Sequence, residues 1–187
     1  MGAQVAVDVW WADLTQADVS LSRRLPPAEA ARTTGPTRAA DRGRRLVAAA
    51  LLQRAVAAHR GWPGADEPVE VDRTCEVCGA QHGRPVVAGG PHLSVAHAGL
   101  LVVVATCGDA PVGVDVERTD RFGGSSGRTL AWARREAALK AGAPVEGPPS
   151  GRTAPLAAPL PGYAAALHVL TEDLPTVTVH QEPLSRP

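Results

Sequence analysis

The chain has almost no lysine. Of its 19 basic residues 18 are arginine, and Lys140 is the exception. Aromatics are equally scarce: four Trp, one Tyr and one Phe make up 3% of 187 residues. That leaves no aromatic-rich pattern of the kind that stacks RNA bases, and no nucleic-acid partner is expected. No apolar run approaches the roughly 20 residues that a membrane-spanning helix needs, so no membrane partner is expected either. The opening stretch MGAQVAVDVWW lacks a basic n-region and an apolar h-region, which argues against a signal peptide. Gly2 is not followed by Ser or Thr at position 6, which argues against myristoylation. Three cysteines, an odd number, fit a reducing cytoplasm better than a disulfide framework. Net charge is absent as well, with 19 acids against 19 bases.

What is present is a globular composition, 44% hydrophobic and 20% charged. The length suits one domain or two small halves around a real core. The charge is unevenly spread. Residues 1–60 hold nine Arg against five acids, a net +4, and the remainder therefore sums to −4. A basic first third points to an anionic ligand more than to a nucleic-acid groove. A solvated basic face explains the charge alone equally well. The preference for Arg reads as coding bias in a GC-rich genome, which makes the single lysine stand out.

Periodicity predicts an α+β chain rich in antiparallel pairs, without short tandem repeats. VAVDVWW (5–11) reads as a strand. The Pro-marked, basic stretch after it approaches a helix over 44–61, where Ala48, Leu51, Leu52, Ala55 and Val56 keep helical spacing and Gly61 ends the run. PVEVDR (68–73) suggests a short strand, and residues 91–108 suggest two strands turning near Ala98 and Gly99. APVGVDVE (110–117) is another strand, and residues 129–142 form a helix stopped by Gly142. A long Pro/Gly loop covers 143–162, followed by late strands at YAAALHVL and TVTVHQE.

Chemistry concentrates in two places. In GVDVE, Asp115 and Glu117 are two apart on a strand, so both carboxylates share one face, while Val114 and Val116 point to the core. Adjacent carboxylates repel, and a hard divalent cation such as Mg²⁺ relieves this. An exposed acidic edge strand is the plain alternative. On the second helix Trp132, Glu136 and Lys140 fall at i, i+4 and i+8, one stripe along its surface. A stabilising Glu–Lys pair accounts for the spacing, at about 0.2–0.5 kcal/mol. It does not account for the lysine, because Arg makes the same surface pair. A compact, strongly hydrated ammonium suits a phosphate or a proton.

The pair GVDVE and WARREAALK resembles the signature of the 4'-phosphopantetheinyl transferases of the surfactin-synthetase-activating type: G-x-D-x-E, then W-x-x-K/R-E-A-x-x-K. ADRGRRLVAAALL resembles the family's arginine-bearing helix, HGRP its G-K/R-P turn, SVAHAG its S-x-S-H-S/A segment, and PGYAAALHV its C-terminal strand. The likeness runs from about residue 5 to residue 180.

The resemblance implies a pseudo-twofold fold of two similar halves. Residues 1–109 would bind the coenzyme A nucleotide and 3'-phosphate, and 110–187 would carry the Mg²⁺ and catalytic residues. It implies transfer of phosphopantetheine from coenzyme A to a serine of an acyl or peptidyl carrier protein, releasing 3',5'-ADP. Asp115, Glu117 and Glu136 would hold Mg²⁺ on the pyrophosphate, with Glu136 also the candidate base for the serine. Lys140 would neutralise charge on the departing pyrophosphate. Arg44 and His97 would grip the 3'-phosphate, and Arg84 would lie along the nucleotide. Trp132 reads as packing. Two departures stand out. Ala96 replaces a serine that usually helps bind phosphate, and the connection at 118–131 is far shorter than the family's. Its GGSSG (123–127) reads as a flexible linker, natural or engineered. A homologue that binds coenzyme A without turnover is therefore the second reading.

A third constellation is CEVCGAQHG. Cys75, Cys78 and His82 have zinc-knuckle spacing, with Cys107 a candidate fourth ligand. The resemblance does not require zinc, so a tight turn with buried thiols is the default here. A zinc-stapled interaction protein is the third reading.

Overall fold

The computed structural model describes residues 4–35, 38–61, 67–144, 146, 150–181 and 183–184. Its strands are β1 (Ala6–Asp13), β2 (Asp72–Thr74), β3 (Gln81–Val86), β4 (His92–Ala98), β5 (Leu101–Cys107), β6 (Val112–Arg118), β7 (Arg152–Leu156), β8 (Tyr163–Val169) and β9 (Thr176–His180). The helices are α1 (Pro27–Thr33), α2 (Ala39–His59) and α3 (Ser126–Ala141).

Strand alternation decides the layers. In β1 and β5, Val7, Val9, Trp11, Val103 and Ala105 face one way, into a core shared with Val112, Val114, Val116, Ala165 and Leu167 of β6 and β8. Trp10, Ala12, Val102 and Val104 face the other way, onto Val47, Leu51, Leu52, Ala55 and Val56 of α2. The four-stranded sheet, in the order β4-β5-β1-β9, thus lies between α2 and the three-stranded sheet β6-β8-β7. Helix α3 covers that sheet's outer face through Ala133 and Ala137 on Ala166. Burying these faces is the main stabilising term, at roughly 25 cal/mol per Å² of apolar surface. The chain is α+β and its pairings are mostly antiparallel, as expected. The exception is β9, which runs parallel to β1. Its His180 stacks on Trp10 with ring centroids 3.8 Å apart and contacts Asp8 at 2.8 Å.

Several boundaries differ from expectation. The basic approach to α2 includes a helix of its own, α1, started by Pro27 in its first turn. Strand β2 spans 72–74 where 68–73 was expected; Val69 and Val71 are buried but lie before the ladder. HGRP is not a turn but part of β3, and the Pro/Gly loop contains β7. Pro85 and Pro155 hid these strands. Each stands in a strand with a single ladder partner, where a missing N–H is tolerated. The turn at Gly99 is as expected: Ala98 pairs with Leu101 across a two-residue loop, and Gly99 has the positive φ of 53° such loops require.

Candidate functional site

The site begins with a missing side chain. A Cβ on Gly113 of β6 would stand 1.9 Å from the carbonyl oxygen of Ala137 and 2.6 Å from the amide nitrogen of Ala141. Only glycine lets α3 lie this close to the strand. The close approach carries the end of α3 over Asp115. There the Lys140 ammonium donates to Asp115 Oδ1 at 2.6 Å and to the Val114 carbonyl at 3.2 Å. Gly142, in the left-handed region, ends the helix where expected.

Asp115 is buried, at 6% exposure, and its Oδ2 has no hydrogen-bond partner among the described residues. Burial pushes its carboxyl above the ordinary range. Lys140 pulls the other way, and the charges of Glu117 and Glu136 push it further up. Asp115, Glu117, Glu136 and Lys140 therefore share one electrostatic neighbourhood. Glu117 accepts from Arg121 at 2.6 Å. Glu136 has no hydrogen-bond or ion-pair partner among the described residues, so the expected helical pair with Lys140 is replaced by the pair with Asp115. An orphaned carboxylate oxygen, with two further carboxylates at hand, fits the hard donor set of a divalent cation. The three are less tightly gathered than the cysteine–histidine trio described below.

The connection at 118–131 is ordered by its own sequence. Residues Thr119–Phe122 form a 3-10 turn, and the Ser125 side chain caps α3 by accepting the Arg128 N–H at 3.3 Å. Ser126 and Gly127 already belong to the helix. GGSSG thus leads into a helix and is not a flexible linker; of the two serines that suggested a linker, Ser125 is the cap and Ser126 the first helical residue. Trp132 packs against Phe122, with centroids 5.9 Å apart, under the guanidinium of Arg121.

Two cavities flank this centre. One, of about 510 Å³, opens between the start of α2, the β4–β5 turn and the neighbouring ends of β6 and β8, and Arg44 and Arg118 line it. Arg44 donates to the Gly99 carbonyl at 2.9 Å and pairs with Asp41. The other, of about 160 Å³, is lined by His97 with Arg32, Arg45 and Arg73, and also by Glu29. Arg73 bonds Glu29 at 3.0 Å, which leaves the cavity a positive excess. The outer surface of His97 is exposed, yet its surroundings desolvate the ring and hold its pKa below the usual histidine range. The charges of Arg44 and Lys140 add to that effect. Arg44 and His97 thus line different cavities, while the charges of Arg44 and Lys140 both reach the His97 ring. Arg84 is exposed on β3, its guanidinium 3.6 Å from where a Gly142 Cβ would stand. Sequence reading passed over Arg32, Arg45 and Arg73 as individuals. The only signal for Arg32 and Arg45 was the charge excess of residues 1–60; Arg73 lies beyond it and had none.

At the β2–β3 turn the ligand atoms of Cys75, Cys78 and His82 all lie within 4.8 Å of one another, the one such trio among the described residues. Cys78 Sγ is 3.0 Å from His82 Nε2. The expected buried thiols are absent here: Cys78 is exposed and Cys75 half-exposed. Cys107 is buried in β5, paired with Val7 and His92, and is not part of the trio.

Compared with models of known protein families and with curated proteins, the chain matches none. Among the described residues no helix is long and apolar enough to cross a membrane.

Proposed function

We propose that the chain is a Mg²⁺-dependent 4'-phosphopantetheinyl transferase acting from coenzyme A on a carrier-protein serine in the cytoplasm. The observation that carries this reading is Asp115: a buried carboxylate, one oxygen on the only lysine and the other without a partner among the described residues, beside Glu117 and Glu136. Such a group is costly in a fold and useful in a phosphoryl-transfer site. The reading carries with it a pseudo-twofold relation between residues 1–109 and 110–187.

In this reading Asp115, Glu117 and Glu136 hold the cation, which supplies charge neutralisation on the pyrophosphate when bound. Glu136, free of any protein partner among the described residues, accepts the proton of the serine hydroxyl. The serine oxygen bonds to the phosphorus that bears pantetheine, and the bond from that phosphorus to 3',5'-ADP breaks. Lys140 faces the charge that develops on the departing group. His97 and Arg44 take the 3'-phosphate, with Arg32, Arg45 and Arg73 supplying further positive charge around His97. Arg84 lies along the nucleotide.

The test is the purified chain with coenzyme A, Mg²⁺ and an apo carrier protein, read by mass spectrometry. Gain of the phosphopantetheine mass on the serine, absent with Asp115→Ala, is the expected result. No gain across several carrier proteins would overturn the transferase reading. One observation favours a second reading, a coenzyme A-binding homologue without turnover: a single 3-10 turn and a helix cap are all that join β6 to α3, so little chain is left there to receive a carrier. Tight coenzyme A binding without mass gain would select it.

A further inference from the structure

We propose that Cys75, Cys78 and His82 bind a Zn²⁺ ion that staples the β2–β3 hairpin, with the fourth coordination position open to solvent.

The ligand geometry is nearly complete without a metal. On a tetrahedron with Zn–S about 2.3 Å and Zn–N about 2.1 Å, ligand atoms lie about 3.5–3.8 Å apart. The trio already falls within 4.8 Å, so small rotamer shifts close it. The backbone is shaped for the same purpose. The Cys75 N–H bonds the Ala80 carbonyl at 2.9 Å, and the Gly79 N–H bonds the Cys75 carbonyl at 2.8 Å. Gly79 has a φ of 70°, the left-handed conformation that turns the chain back after the second cysteine.

No apolar burial explains this turn. Val77 at its tip is 94% exposed, and Cys78 and His82 are exposed as well. A turn whose tip and two of whose three ligands are exposed, yet which gathers two sulfurs and an imidazole, gains little of its free energy from burial. Two thiolates and an imidazole form a soft donor set that selects Zn²⁺ over Mg²⁺. The carboxylates at Asp115 select the opposite way, so the two metals do not compete.

The staple also has something to hold. Arg73 stands two residues before Cys75 on β2, and Arg84 two residues after His82 on β3. The β2–β3 ladder is short and its register shifts between Asp72 and Thr74. A metal at the turn fixes that register, and with it the placement of Arg73 in the basic cavity and of Arg84 near the end of α3.

The test uses the full chain, loaded with Zn²⁺ in the presence of excess Mg²⁺ and then dialysed. Stoichiometric zinc by elemental analysis is expected in the parent and in Asp115→Ala. Its loss is expected in Cys75→Ser and Cys78→Ser, with folding of both variants checked by circular dichroism. Cobalt substitution should give the intense d–d absorption of a four-coordinate site with thiolate charge-transfer bands. Amide exchange should show the β2–β3 strands losing protection when the metal is chelated. Zinc that stays in both Ser variants, or fails to load the parent, overturns the proposal. So does recovery of the two cysteines as a disulfide under a thiol buffer. None of these results bears on the transferase reading.

Discussion

The Lys140 ammonium reaches across from α3 to β6, 2.6 Å from Asp115 Oδ1 and 3.2 Å from the Val114 carbonyl. It ties helix to strand, and so is not the surface partner of Glu136 that its spacing suggests. A primary ammonium serves two acceptors of different direction with one compact group, whereas a guanidinium presents a planar fork. The one lysine in an arginine-rich chain therefore has a structural reason to stay a lysine.

Asp115→Asn separates stability from function. Burial holds the Asp115 carboxyl above its usual range, so the folded state disfavours its charge. For a carboxylate raised in this way the penalty is absent below the ordinary pKa near 3.8 and fully present above the raised value. The Asn variant should match or exceed the parent in melting temperature at neutral pH, and the two should converge as pH falls. Its transferase activity should be lost. A clear drop in melting temperature at pH 7 would mean the ion pair with Lys140 outweighs the burial.

Gly113→Ala tests how the centre is assembled. The added Cβ would overlap the Ala137 carbonyl, so β6 or α3 must move. Overpacking of this kind costs about 1–3 kcal/mol. The displacement also separates Lys140 from Asp115, so activity should fall more steeply than stability. Denaturant titration and turnover on one sample compare the two. Unchanged values would show that the helix shifts freely and that the close approach has no role.

The elements at the heart of the molecule were readable because their residues obey one period. Alternating valines marked β1 and β6, an unbroken apolar run marked β5, and the Ala/Leu stripe marked α2. The strand face of Asp115 and Glu117 followed from the same period of two. What stayed hidden depends on distance along the chain. Nothing near Pro85 or Pro155 announces a ladder partner, so β3 and β7 read as turn and loop. The basic cavity draws Arg32, Arg45, Arg73 and His97 from four elements, which no local pattern can gather. GGSSG misled because serine and glycine serve linkers and helix caps alike.

His97 should couple ligand binding to protons. In the free protein its imidazole is held below the usual histidine pKa, first by desolvation and then by Arg44. A phosphate dianion beside it favours the protonated form. Coenzyme A should therefore bind with proton uptake, and more tightly as pH falls toward the ring's pKa. The 3'-dephospho form should show neither effect. Calorimetry in buffers of different ionisation enthalpy measures the uptake directly. Equal proton counts and affinities for both ligands would remove His97 from the phosphate site.

Lys140→Arg discriminates most sharply between a surface helix and a catalytic centre. The variant keeps the positive charge and can still pair with Asp115, and the side chain is a third exposed, so the longer group has room to bend outward. Melting temperature should change by little. The guanidinium cannot bond both Asp115 Oδ1 and the Val114 carbonyl from the ammonium's position, and its centre of charge moves away from any pyrophosphate held by the three carboxylates. One misplaced electrostatic contact in such a site costs on the order of 10²-fold in rate. The loss should appear in kcat with little change in KM for coenzyme A, because Lys140 acts on charge that develops as the bond breaks. An equal loss in coenzyme A affinity would make Lys140 a ground-state ligand. Unchanged turnover would leave the lysine with only its structural role, tying α3 to β6.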